Sequence, residues 1–477
     1  MSAARRICAV AAAAVACAML ATPVSARKRP VELPPATSGL IDNVNGIAPG
    51  KSGTLERFTG LLIDRQGRVE RRLIAGEARP YRLTFRMDAK GATLIPSFVA
   101  PHVRLMDAGI ALMTLDLSDA RSLAEAQARI ADYARTNPAK KWILGQGWDS
   151  AKWGSAGRMP TAVDLDTAIA ATPALLVSAD GELGWANSAA LKLAGVPAAK
   201  AVAAPMAGDA MQKVARVAPA PYPKDRDIGF DKAQRRFVTL GYATVTDMAT
   251  SIEDWQSYRR AGDRGALRLR VIGYADGLAH MLTIAGPAPS PWLYDDHLKL
   301  NGVHIALDGT RASGTAWMKA PPTVAPRTQG IRLRNQMSRA AMDGFQIALS
   351  AYGDAAVVEA QMANAEIAAS YGKDRRDRLE TDGAAIDAVI LPSSPFRVLG
   401  RMMDAGSSFG EAFAAMTAMP AYSAFAEQRI GALEQGQWAD FLLLDHDITT
   451  ATPDAIVATK ISEHWIGGKR VWREGDN

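Results

Sequence analysis

Ile95-Pro-Ser-Phe-Val-Ala-Pro-His-Val-Arg-Leu105 is the stretch from which the fold of this chain is read. A hydrophobic strand runs here into a polar turn and carries His102 and Arg104 at alternate positions. Residues i and i+2 of an extended segment point to the same side, so the two side chains converge on one spot. With histidine at position 104 this would be a His-x-His metal pair at a strand end. Arginine replaces one ligand.

Outward from that strand, the middle of the chain alternates. Ser122-Leu-Ala-Glu125 is a capping box, in which the serine oxygen and the glutamate carboxylate satisfy each other's free backbone N–H groups. The helix it opens places Leu123, Ala126, Ile130 and Ala134 on one face, and Pro138 stops it. Strands are expected at Trp142–Gly145, Ala174–Ser178, Ala243–Asp247, Leu267–Tyr274, Val303–Leu307 and Gln346–Ser350. Helices are expected from Asn187 to Leu193, Lys232 to Leu240 and Ala355 to Ser370, the last with Val357, Ala360, Ala363 and Ile367 as its apolar stripe. Such alternation implies an α/β fold, a parallel sheet with helices outside. A closed eight-fold TIM-like barrel is the first expectation and an open doubly wound sheet the second. No Gly-rich phosphate loop follows an early strand, which weighs against the open sheet.

The two ends read differently. Phe58–Asp64 and Val69–Ala75 are strands joined by a turn at Arg65–Arg68. Trp438–Asp445, Glu463–Ile466 and Lys469–Trp472 repeat the pattern near the C-terminus, the last two across Gly467-Gly468. One small β domain built from both termini accounts for this. The expected division is a signal peptide over 1–26, a linker over 27–38, β domain over 39–93, barrel over 94–425 and β domain again over 426–475.

Residues 1–26 have the layout of an export signal: Arg5 and Arg6, an apolar run from Ile7 to Leu20, and a small-residue site at Val24-Ser-Ala26. The run falls short of the roughly 20 apolar residues that span a bilayer. A periplasmic or secreted protein is therefore expected, by the general or the twin-arginine route. Both cysteines, Cys8 and Cys17, lie in that segment, so cleavage after Ala26 leaves no disulfide or thiolate ligand. Cleavage also lowers the net charge from +6 by two arginines, and the remaining basic residues are scattered. Nucleic-acid binding is disfavoured, and no later stretch is apolar enough for a stable membrane span.

Seven stretches taken together resemble one family: Leu94–Arg104; Trp142-Ile-Leu-Gly-Gln-Gly-Trp-Asp149; Asp180-Gly-Glu-Leu-Gly-Trp-Ala-Asn187 onward to Leu191; Leu240–Asp247; Gly302-Val-His-Ile-Ala-Leu-Asp-Gly309; Gly344–Asp354; and Ile430–Asp440. The chain resembles the amidohydrolase superfamily, in the branch that includes the N-substituted formamide deformylases. The resemblance implies a metal-bearing (β/α) barrel with a β-sandwich made from both chain ends. It also implies hydrolysis of non-peptide carbon–nitrogen bonds, with a divalent metal such as zinc activating water. Such a metal is held by imidazole and carboxylate ligands at the C-terminal ends of several strands.

Measured against that resemblance, most ligand positions are substituted. His102 keeps the first histidine of the strand-one pair, Arg104 replaces the second, and Ala100 stands for the preceding aspartate. His304 replaces a lysine, Ser350 and Thr381 replace histidines, and Glu182 stands where a histidine is expected. Leu391-Pro-Ser-Ser-Pro395 offers serines in place of the last aspartate, and the segment from Glu380 to Pro395 is short for a whole barrel unit.

His102 and His304 are thus the candidate metal residues, with Glu182 or Asp308 as a third ligand. The plainer reading has both histidines hydrogen-bonded inside a filled barrel mouth. Arg104 is a candidate to occupy the metal's place and pair with Asp308 or Glu182; the alternative is that it reaches solvent. Asp308 with Glu182 or His304 is a candidate metal-free acid/base pair. Ser393 and Ser394 lack a nucleophile elbow. His280, His297, His446 and His464 read as surface or structural, and Trp148, Trp153 and Trp185 as either pocket or core. Two functions are compatible with these residues. One is a carbon–nitrogen hydrolase with weak or absent metal-dependent catalysis. The other is a non-catalytic periplasmic pseudo-enzyme that binds a small molecule or a partner protein.

Overall fold

The computed structural model describes residues 38–50, 54–154, 158–197, 204–321, 324–381 and 393–476. The expected export signal, the expected linker up to residue 37, the Ala-rich run 198–203 and residues 382–392 lie outside the described residues.

Five strands open the chain: β1 (Ser38–Pro49), β2 (Leu55–Asp64), β3 (Val69–Leu73), β4 (Arg86–Asp88) and β5 (Thr93–Pro96). β6 (Phe98–Val103) follows directly and leads into a helix over Leu105–Ala111. β7 (Leu115–Asp116), β8 (Ile143–Trp148), β9 (Ala174–Ser178) and β10 (Gly184–Ala186) come next. β11 (Tyr242–Thr250), β12 (Arg270–Asp276), β13 (Leu298–Ala306), β14 (Gln346–Ser350) and β15 (Arg378–Glu380) alternate with helices, and β16 (Phe441–Leu444), β17 (Ile461–Ile466) and β18 (Lys469–Arg473) end the chain. No described helix is long and apolar enough to cross a membrane.

Both ends share one sheet, in the order β18-β17-β16-β5-β1-β2-β3 with β4 beside β1. The join is β16 antiparallel to β5, Leu443 opposite Leu94. Ile41, Phe58, Leu61, Leu94, Phe441 and Leu443 form its core. A buried ion pair ties this sheet to the α/β part. Arg270 of β12, fully buried, meets Asp440 through Nε–Oδ2 at 2.7 Å and Nη2–Oδ1 at 3.0 Å, and its guanidinium lies 4.5 Å from the Trp438 ring.

The central sheet is parallel, in the order β15-β14-β13-β12-β11-β6. Helices cover its outer face through Phe237, Tyr258, Met281, Leu333, Met337 and Ile367. Inside the curl, Val99, Met248, Ile272, Tyr274 and Ala348 pack against Ala421, Ala424, Ile430 and Trp438. Its two edge strands, β6 and β15, are not laddered together, yet they touch. His102 Nδ1 lies 2.5 Å from Glu380 Oε2, and Arg378 Nη2 donates to the Pro101 carbonyl at 2.5 Å. Side chains thus draw the edges of a curled half-barrel together.

This corrects the closed eight-fold barrel: among the described residues the sheet has six strands. The expected strands at Trp142 and Ala174 form, as β8 and β9, a separate four-stranded sheet with β7 and β10. That sheet has its own core, in which Trp148, Trp153 and Trp185 meet with ring centroids 6.2–6.4 Å apart. Alternating apolar residues make a strand but do not say which sheet it joins.

Candidate functional site

The C-terminal ends of the parallel strands surround a cleft of ≈ 370 Å³. β6 supplies His102, the end of β11 Met248 and Ala249, β12 Asp276, β13 His304, and β14 Ser350. Loops bring Arg104, Asp180, Glu182, Asp308, Arg327 and Tyr352. All five residues singled out from the sequence, His102, Arg104, Glu182, His304 and Asp308, therefore line one cleft. A parallel sheet places its strand ends at one mouth, which explains the convergence of His102, Arg104, His304 and Asp308; Glu182 arrives on the turn between β9 and β10 of the other sheet.

Glu380, which sequence reading missed as a site residue, organises the floor. Its Oε2 accepts from His102 Nδ1 at 2.5 Å and from Ser350 Oγ at 3.2 Å, and its Oε1 accepts from Arg378 Nη2 at 3.1 Å. Burial pushes the Glu380 carboxyl up, but His102, Arg378 and His304 outweigh it and hold the group at about 2. As a carboxylate it only accepts, so Nδ1 of His102 carries the shared proton and Nε2 is left as the open ring nitrogen. Ser350 spends its single proton on Glu380, which makes His304 Nε2 the donor to Ser350 Oγ at 2.8 Å. Burial, with His102, Arg104 and Arg378 nearby, lowers His304 to about 4, so its ring is neutral near pH 7. The signal available in the sequence was Arg378-Leu-Glu380, two charges at i and i+2 on one strand face.

Asp308 is anchored by backbone. Its carboxylate accepts from the N–H groups of Trp317 (2.8 Å), Tyr352 (2.9 Å) and Gly353 (2.7 Å). Burial outweighs these bonds and raises its pKa. Position 353 is glycine because a Cβ there would stand 1.9 Å from the Trp317 carbonyl oxygen. Glu182 pairs with Arg327 at 2.5 Å; burial raises its pKa against that cation. Asp180 takes hydroxyl bonds from Ser178, Thr310 and Ser313, which clasp the two loops together.

The ion pair foreseen between Arg104 and Asp308 or Glu182 is not made. Arg104 Nε meets Asp107 Oδ2 at 2.7 Å, and the arginine side chain is 49 % exposed. It sits at the N-cap of the helix Leu105–Ala111, so an aspartate three residues on is within local reach. Asp308 and Glu182 have the closer partners just described. The Asp308–Glu182 and Asp308–His304 acid/base pairs are likewise replaced by these bonds. Outside the cleft, His464 is buried between Ser97 Oγ and the Val238 carbonyl, His297 turns to backbone carbonyls, and His446 pairs with Asp445.

One nitrogen of each imidazole is tied into the Glu380–Ser350 chain, Asp308 accepts from three backbone donors, Glu182 faces the Arg327 guanidinium, and Arg104 lines the same cleft. Among the described residues no three His, Cys, Asp or Glu side chains are grouped to hold a metal.

Comparison with known proteins places this geometry. The model of the amidohydrolase family matches residues 86–404 and 395–472. Protein LONG AFTER FAR-RED 3 of Arabidopsis thaliana is 26% identical over 333 residues, 62% of this chain and 56% of that protein. N-substituted formamide deformylase of Arthrobacter pascens is 32% identical over 114 residues, 24% of this chain and 21% of the enzyme. The chain thus spans little more than half of the first relative. An uncharacterized metal-dependent hydrolase from Pyrococcus horikoshii superposes with a TM-score of 0.68 at 18% identity, covering 88% of this chain and 99% of that one. At that identity the likeness shows the fold.

Proposed function

The chain belongs to the amidohydrolase family, and from that premise we propose that it is a member whose cleft binds a small molecule without metal-dependent hydrolysis. One observation carries the reading: the imidazoles and carboxylates at the mouth are bonded to one another and to backbone, not arranged around a common empty point. Metal-assisted hydrolysis needs a site that holds the ion and leaves a position open for water. Kinship of fold does not replace that site.

A second reading, favoured by the His102–Glu380 contact, keeps carbon–nitrogen bond hydrolysis without a metal. A carboxylate on Nδ1 holds the ring in place, so that the other ring nitrogen is the atom that would exchange a proton with a bound amide. The N-terminal pattern of Arg5, Arg6, the apolar run and Val24-Ser-Ala26 supports export to the periplasm or beyond. The sheet made by the two chain ends is read here as the family's small β-sandwich.

The test is metal content of the purified protein by mass spectrometry, then thermal shift and an amide and formamide hydrolysis screen with and without zinc. Substoichiometric metal, no stabilisation by zinc and no zinc-dependent turnover are expected. Stoichiometric metal, with turnover abolished by His102→Ala, refutes the proposal. Turnover that survives chelation and is lost in Glu380→Gln selects the second reading.

A further inference from the structure

A second cleft, of ≈ 390 Å³, adjoins the first between the helix Leu105–Ala111, strands β8 and β9, and the helix Gly208–Val217. Its walls are mostly apolar: Met106, Ile110, Leu144, Leu175, Val177 and Met211. Three features tie it to the polar cleft. Arg104 lines both. The turn at 180–182 gives Asp180 and Glu182 to the polar side and Gly181 to the apolar side. Successive residues of one helix divide in the same way, Met211 to the apolar cleft and Gln212 to the polar one.

We propose that the two clefts form one site for a small amphiphilic carboxylate, with its head on Arg104 and its hydrocarbon tail in the apolar chamber. This rests on the ligand-binding reading above. Arg104 stands at the junction, half exposed, with Nε turned to Asp107 and Nη1 3.5 Å from where a Cβ on Gly181 would lie. A guanidinium stays charged and offers a planar fork that matches a carboxylate. Met106 and Met211 are adaptable, polarisable walls that accept tails of differing shape. The chamber's volume is within the range of small-molecule pockets.

Titration calorimetry of the chelator-treated full chain with straight-chain carboxylates from butanoate to decanoate tests this, with the matching alcohols as controls. Affinity is expected to rise about fourfold per added methylene until the chamber is full. Ala215→Trp, at an exposed position on the chamber wall, is expected to flatten that slope and leave the shortest acid unaffected. Arg104→Gln is expected to weaken every acid on the order of tenfold with the slope intact. Absence of binding across the series, affinity independent of length, or alcohols binding as tightly as acids overturns the proposal. Zinc-dependent turnover alongside an intact slope overturns only the reading of the polar cleft, whereas a flat slope in a protein without zinc-dependent turnover overturns only the chamber.

Discussion

Glu380→Gln removes a single charge from the seam between β6 and β15 while keeping the shape of the side chain. The carboxylate is 7 % exposed and is held at about 2 against 4.5 for the free group. A depressed folded-state value means the stabilisation is complete above the unfolded pKa and drains away as pH falls toward the folded one. The gap corresponds to about 3 kcal/mol at pH 7, of which about 1 kcal/mol survives at pH 3. Loss of the charge also leaves the Arg378 guanidinium, 10 % exposed, without its counter-ion. Urea unfolding of wild type and variant at both pH values measures the difference directly, because every other carboxylate titrates in both proteins. A variant about 3 kcal/mol weaker at pH 7, with most of the gap closed at pH 3, is expected. An equal gap at the two pH values, or none at pH 7, would show that the seam does not depend on this charge.

Arg270→Met leaves Asp440 buried without its partner and is expected to cost about 3–5 kcal/mol by urea unfolding; a loss under 1 kcal/mol would sink the claim that this pair ties the chain-end sheet to the barrel. Arg104→Ala removes a half-exposed pair and should change stability by about 0.5 kcal/mol or less, measured the same way. Asp308→Ala strips three backbone N–H groups of their acceptor; a loss of about 3 kcal/mol is expected, with faster hydrogen exchange at Trp317, Tyr352 and Gly353. Asp247 is buried, accepts from Leu105 N–H, Thr250 and Tyr258, and is pushed by burial to about 7. Its folded value lies above the unfolded 3.8, so wild type should lose stability as pH rises from about 4 to 7. In Asp247→Asn that part of the pH profile should vanish.

The parts governed by local order were legible in the sequence. The strand carrying His102, the serine N-cap at Ser122 and the apolar stripe of the helix through Ala360 are set by neighbours within a turn or two and form, although the Glu125 carboxylate takes the Arg121 N–H and so does not close the expected capping box on Ser122. The cleft membership of His102, His304 and Asp308 was legible because the parallel strands β6 and β13 deliver their ends to one mouth. What eluded reading was partner choice. Asp308 could bind a side chain or backbone, and only the folded approach of the 317 and 352–353 loops decides for backbone. Arg104 takes a partner three residues away and not one across the barrel mouth. Sheet membership of β8 and β9 was equally hidden, since it depends on where the Trp148–Trp153–Trp185 core closes.

The strand pair β5–β16 has a consequence for biogenesis. Leu94 can meet Leu443 only after all the chain between them has been made, so β5 has an unpaired edge until then. Contacts so remote in sequence are slow to form and leave apolar surface open meanwhile. Truncation from the C-terminal side should therefore yield not a shorter working protein but an aggregating one, its first hundred residues deprived of their other half.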